Sequence, residues 1–116
     1  MYKITDFPEQ KIIMTRGDTL RAKITIRYSI NEPEYEILEG DQIHFCLKKY
    51  VNDKNPILIK YIPTDTLVLE IEPNDTNKLS FGEYRYEIEL RTALGDVYTI
   101  IDNRIFVITP ELLTDE

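Results

Sequence analysis

The chain has 116 residues, 42% of them hydrophobic, with 21 acidic against 14 basic side chains, a net charge of −7 and one cysteine, Cys46. That length suits one domain with a normal core, read here as residues 1–116 with a short lead over 1–10 and a tail over 110–116. An acidic surface repels phosphate backbones and anionic lipid, which excludes nucleic acid and membrane as partners, and a lone cysteine excludes an internal disulfide.

No apolar stretch approaches the ~20 residues that span a bilayer. The opening residues Met1-Tyr2-Lys3-Ile4-Thr5-Asp6-Phe7 lack the apolar core of a secretion signal, so the expectation is cytoplasmic synthesis.

Residues 11–15 form a first short strand, closed by Arg16-Gly17-Asp18 as a turn or bulge where Gly17 takes a positive φ. Leu20-Arg21-Ala22-Lys23-Ile24-Thr25-Ile26-Arg27-Tyr28 then alternates apolar and polar without a break, the signature of a strand with one buried face. This places Leu20, Ala22, Ile24, Ile26 and Tyr28 inward. Asn31-Glu32-Pro33-Glu34 is a turn cluster, and residues 35–38 return as a short extended segment.

Glu39-Gly40-Asp41 opens the next strand, with Ile43, Phe45 and Leu47 on one face and His44, Cys46 and Lys48 on the other. Residues 51–55 are a polar loop. Residues 56–62 form a strand that begins with Pro56, where no ladder N–H is lost. Its alternation is weak, and Leu58 and Ile62 find no home in a single core face, so Ile57, Leu58, Ile59 and Ile62 are the candidate interaction edge.

After the turn at Pro63-Thr64-Asp65, residues 66–72 present Leu67, Leu69 and Ile71 inward. Residues 73–79 carry caps and polar residues without a β pattern and read as a helical turn crossing between sheets. Residues 82–91 alternate perfectly, burying Tyr84, Tyr86, Ile88 and Leu90 and presenting Glu83, Arg85, Glu87, Glu89 and Arg91 to solvent. Ala93-Leu94-Gly95-Asp96 is a hairpin turn. The last strand covers 97–101, bends at Asp102-Asn103 and resumes over 104–109; Thr109 with Pro110 can open a further helical turn. Seven or eight short strands with turn signals every eight to twelve residues make an all-β chain, a sandwich or a barrel.

The pattern Leu79-x-x-Gly82-x-Tyr84-x-Tyr86 after a Pro-x-Asp turn resembles the corner that leads into strand F of immunoglobulin-like sandwiches. The resemblance implies an antiparallel immunoglobulin-like β-sandwich in which the Tyr84 hydroxyl bonds back to the chain near 73–79. The buried tryptophan and paired cysteines of antibody domains are absent. A wider resemblance covers nearly the whole chain. Thr15-Arg16-Gly17-Asp18-Thr19, Glu39-Gly40-Asp41-Gln42-Ile43-His44-Phe45, Pro73-Asn74-Asp75-Thr76, Gly82-Glu83-Tyr84-Arg85-Tyr86 and Gly95-Asp96-Val97-Tyr98-Thr99-Ile100-Ile101 together resemble small prophage proteins of Gram-positive bacteria. They are similar, more loosely, to the N-terminal domain of phage upper baseplate proteins. This implies a structural part in a tail, baseplate or head decoration, held by contacts with itself or with other virion proteins. Unlike the baseplate relatives, the sequence shows no long coiled coil or receptor-binding segment after residue 116, which argues against an adaptor role and leaves a free-standing accessory protein open.

Sites of chemistry are sparse, and neither a catalytic centre nor a cofactor is expected. His44 is the only histidine, on a polar face, with no nucleophile or third partner in a motif. Cys46 shares that face, but zinc takes three or four protein ligands and the rest of such a set is not evident. Arg16-Gly17-Asp18 spells an integrin-recognition tripeptide, which a tight turn between strands does not display. Asp41, Asp53, Asp65, Asp75, Asp96 and Asp102 sit mostly in turns, where aspartate caps backbone amides, and none has calcium-loop spacing. The eight tyrosines leave Tyr50, Tyr61 and Tyr98 undetermined as core or surface. The expected function is therefore a non-enzymatic structural or protein-interaction module. The rival readings are a carbohydrate-binding module, which needs a line of exposed tyrosines, and a small prophage effector working through its acidic surface.

Overall fold

In the computed structural model, which describes residues 2–4 and 11–112, nearly every element is a strand. In chain order these are β1 (Lys3–Ile4), β2 (Ile12–Thr15), β3 (Leu20–Lys23), β4 (Ile26–Arg27), β5 (Gln42–Lys48), β6 (Leu58–Ile62), β7 (Val68–Ile71), the single turn α1 (Pro73–Thr76), β8 (Gly82–Arg91) and β9 (Val97–Thr109). One layer is a five-stranded sheet in the order β2-β9-β8-β5-β6. Two ribbons, β1-β4 and β3-β7, cover its inner face. The result is an all-β sandwich, elongated at 47 × 27 × 25 Å.

Alternation set the register. Ile43, Phe45 and Leu47 of β5 meet Leu90, Ile88 and Tyr86 of β8 across the ladder, and all six are buried. Ile24, Ile26, Leu69 and Ile71 bury against them from the ribbons. Phe45 stacks on Tyr86 at 5.4 Å, and Phe106 of β9 closes the aromatic centre. Leu20, Ala22 and Leu67 are only half-buried, whereas Ile71 and Leu69, paired with Leu20 and Ala22, are buried.

Four sequence expectations change. Pairing is antiparallel except between β2 and β9, which run parallel, with Ile12 beside Phe106. The long alternating strand is broken at Ile24-Thr25 into β3 and β4, and Tyr28 lies past the end of β4, 57% exposed rather than in the core. Residues 35–38 form no strand, and the return is held by the bridge between Arg27 and Glu34 and by the Tyr35 N–H donating to the Ile26 carbonyl at 2.6 Å. Pro110 and Glu111 open no helix; Glu111 instead grips Arg16 at 2.9 Å. Residues 113–116 and most of the N-terminal lead lie outside the described residues.

The bend at Asp102-Asn103 is a bulge within one continuous strand. Asn103 takes φ 41°, and the β8–β9 register shifts between Tyr86 and Glu89. The shift lets Ile100 and Ile101 both turn inward.

Tyr84 makes the expected corner, one residue beyond the segment named for it. Its hydroxyl donates to the Ser80 carbonyl at 2.8 Å and lies 3.0 Å from Ser80 Oγ. The helical turn before it also forms: Asp75 Oδ2 accepts the Glu72 N–H at 2.8 Å in a capping box, with Pro73 at the first helical position.

Candidate functional site: the open side of the sandwich

β6 is the last strand of the large sheet and pairs only with β5; β7 is the last strand of its ribbon and pairs only with β3. Both free edges open on the same side, joined by the turn of residues 63–67, where the Leu67 N–H bonds to the Pro63 carbonyl at 2.8 Å and Leu67 is held at φ 56°. A cleft of about 360 Å³ lies between them, lined by Lys60, Tyr61, Val68 and Glu70 among others.

Register with β5 decides which side chains β6 offers. Leu58 pairs with Leu47 and Ile62 with Ile43, so both turn inward; Ile62 is buried and Leu58 packs on the core. This corrects their assignment to the interaction edge. Ile57 and Ile59 do face solvent, at 44% and 54% exposure, and Tyr61, not counted in that edge, is the most open at 72%. Period two sets Ile59 and Tyr61 on the face opposite Leu58 and Ile62, and only the pairing with β5 decides which face is outward.

Lys60 lies on the inner side of the edge strand, and its ammonium reaches Asp75 of the capping box at 2.9 Å. An inward charge and flanking prolines are common guards of a sheet edge. Here Pro56 and Pro63 bracket the strand, limiting any added partner to about five residues of pairing.

The face beyond β6 is polar, as the alternation required. Arg91 Nε lies 2.6 Å from Glu89, and Arg85 lies 3.5 Å from Glu83. His44 lies opposite Tyr61, the rings edge-on at 4.6 Å, with its Nε2 3.3 Å from Gln42 Oε1. Burial and then the charge of Arg91 lower the His44 pKa, favouring the neutral ring. Burial and then Glu87 raise the Cys46 thiol, so it is a poor nucleophile. Among the described residues no group of three or more His, Cys, Asp or Glu side chains is placed to hold a metal. Among the described residues no helix is long and apolar enough to cross a membrane.

The Arg-Gly-Asp turn is structural. Arg16 bonds Glu111 through Nε at 3.1 Å and Nη2 at 2.9 Å, and its guanidinium lies 4.2 Å from the Phe81 ring centre. Gly17, at φ 83°, donates its N–H to Thr76 Oγ1 at 2.9 Å. Asp41 is more than a turn residue. Buried at 7% exposure, it accepts bonds from the Leu38 N–H, the Tyr35 hydroxyl and the Ala93 N–H at 2.9, 2.7 and 2.7 Å. Burial pushes its carboxyl up, but these bonds outweigh burial and leave its pKa below the ordinary value.

No protein-family model matches this chain, and no curated protein matches it. Among solved structures it resembles CopC from Methylosinus trichosporium OB3b, with a TM-score of 0.52 at 11% identity, covering 98% of this chain and 100% of that one. At that identity the likeness is one of fold.

Proposed function

We propose that this chain is a non-enzymatic assembly module, a structural component of a phage or prophage particle, that joins its partner by strand addition at β6. The observation that carries the reading is the open β6 edge, with Ile59 and Tyr61 exposed beside an unpaired backbone. Main-chain bonds supply the affinity of such an addition and alternate side chains its specificity.

The simplest partner is a second copy. Antiparallel pairing of two β6 strands about Lys60 puts Ile59 opposite the second copy's Tyr61 and Leu58 opposite its Ile62. Apolar-aromatic cross-strand pairs of this kind are each worth about 0.2–1 kcal/mol. The two Lys60 ammonium groups would meet at the axis, each already neutralised by its own Asp75. The contact is isologous and closed, joining two five-stranded sheets into one. The phage setting is supported by the resemblance of the turn motifs to small prophage proteins.

The test is molar mass across a concentration series, for the native chain and for Ile59→Lys. The native chain should form dimers that the variant does not, with unchanged circular dichroism. A native chain that stays monomeric throughout would overturn self-pairing.

A further inference from the structure

A second surface, away from β6, has the makings of a ligand site. Tyr2, Tyr28, Tyr35 and Tyr98 come from four separate segments and meet around Tyr2. Its ring stands edge-on to Tyr28 at 5.5 Å and 88°, to Tyr35 at 5.0 Å and 69°, and to Tyr98 at 5.4 Å and 75°. The rings pack edge-on around Tyr2 into one aromatic cluster, a tyrosine box with Tyr2 at its centre. The box opens into a cleft of about 330 Å³ lined by Tyr2, Tyr28 and Tyr35 and by Glu32, Glu34 and Glu36. That volume is within the usual range of small-ligand pockets, from about 300 Å³ upward.

The walls are held in place. Tyr35 donates its hydroxyl to buried Asp41 at 2.7 Å, and burial followed by that bond raises its pKa, so the phenol stays neutral. The Tyr98 phenol is raised as well, first by the charge of Asp96. Tyr28 is 57% exposed, a large ring left open at the mouth. Arg27 anchors the acidic rim from behind, donating to the Glu32 carbonyl at 3.2 Å and lying 3.7 Å from Glu34.

We infer that this cleft binds a cationic side chain, a lysine or arginine presented by a basic segment of a protein partner. The occupant is fixed by charge complementarity. Aromatic faces carry negative quadrupole density and attract ammonium and guanidinium groups. Three glutamates, one of them Glu34 beside the Arg27 guanidinium, leave the rim net acidic, on a chain whose net charge is −7. A phosphate or an acidic peptide would meet repulsion from both. This site is independent of the β6 edge, so either can fail alone.

Tyrosine fluorescence sums over all eight tyrosines, so amide chemical shifts, read residue by residue, are the direct report on this cluster. The probes are an acetylated lysine-glycine peptide, its glutamine-glycine counterpart and a neutral oligosaccharide, each titrated into the full chain at low and high salt. The lysine peptide should bind, shift the amides around Tyr28 and weaken as salt rises; the other two should not bind. Tyr28→Ala should weaken the lysine peptide by about tenfold, while Tyr28→Phe, which keeps the ring, should retain it. Glu36→Gln should weaken it at an intact aromatic box. Equal binding of the lysine and glutamine peptides, indifference to Tyr28→Ala, or binding of the oligosaccharide alone would each overturn the inference.

Discussion

The two layers of this sandwich are built to different standards. In the five-stranded sheet, β5, β8 and β9 pair over long registers and their inner side chains are almost wholly buried. The covering layer is made of ribbons with ladders only two to four residues long, broken between β3 and β4, and its loop over residues 35–41 is held by side-chain bonds such as that of Tyr35 to Asp41. The expectation is that the long ladders of the first layer carry more of the stability than the short ribbons do. Both surfaces suited to binding lie where ladders stop: the free edges of β6 and β7, and the tyrosine box where β4 ends.

The sharpest way to break the contrast is to remove one side chain from each layer. Phe45→Ala in the sheet should cost about 3–5 kcal/mol, because Phe45 is fully buried among Tyr86 and Phe106. Tyr28→Ala at the ragged end of the ribbon, where the ring is 57% exposed and touches only Tyr2 edge-on among the aromatic rings, should cost about 1 kcal/mol or less. Denaturant midpoints compare the two directly, and equal losses would show that the layers are not unequal.

Asp41 is the exception that the covering layer depends on. It ties residues 38–41, Tyr35 and the 92–96 turn together, and Gly40 beside it, at φ 94°, would bring a Cβ to 3.1 Å from Ala93 Cβ. Asp41→Ala should cost about 2–3 kcal/mol by leaving buried donors unpaired. Its folded pKa is lowered, so its contribution is complete above the ordinary aspartate value of 3.8 and disappears as pH falls through the lower folded value. Native chain and variant should therefore converge in stability toward the acid end, in a pH series of unfolding midpoints.

Tyr84→Phe should cost about 0.5–1.5 kcal/mol with the fold kept, because one hydroxyl bond to Ser80 is lost while the ring stays buried. An unchanged midpoint would mean that the corner contributes nothing. The Arg16–Glu111 pair should matter least. Both side chains are about a quarter exposed to solvent that screens the pair, so Glu111→Gln should move the unfolding midpoint only slightly, and less as salt rises.

What could be read from sequence follows the same division. Perfect alternation over residues 82–91 placed Tyr84, Tyr86, Ile88 and Leu90 inward, and all four are buried. Alternation over 20–28 failed at Tyr28 because periodicity shows which way a residue points along a strand, not where the strand ends. The parallel pairing of β2 was illegible, since a strand's own residues do not name its partner's direction. Leu58 and Ile62 were misplaced because their inner face appears only once β6 is laid against β5. The tyrosine box was hidden for a related reason: its rings are scattered from Tyr2 to Tyr98 and converge only through the fold.

The most direct test of the proposed assembly role is sedimentation equilibrium on the native chain and Ile59→Lys over a wide concentration range. Ile59 is 54% exposed, so the lysine should leave unfolding unchanged within about 0.5 kcal/mol. Strand addition at β6 predicts that the native chain shifts from monomer to dimer as concentration rises while the variant remains a folded monomer. A native chain that never exceeds the 13.7 kDa monomer, or a variant that dimerises equally well, would contradict it.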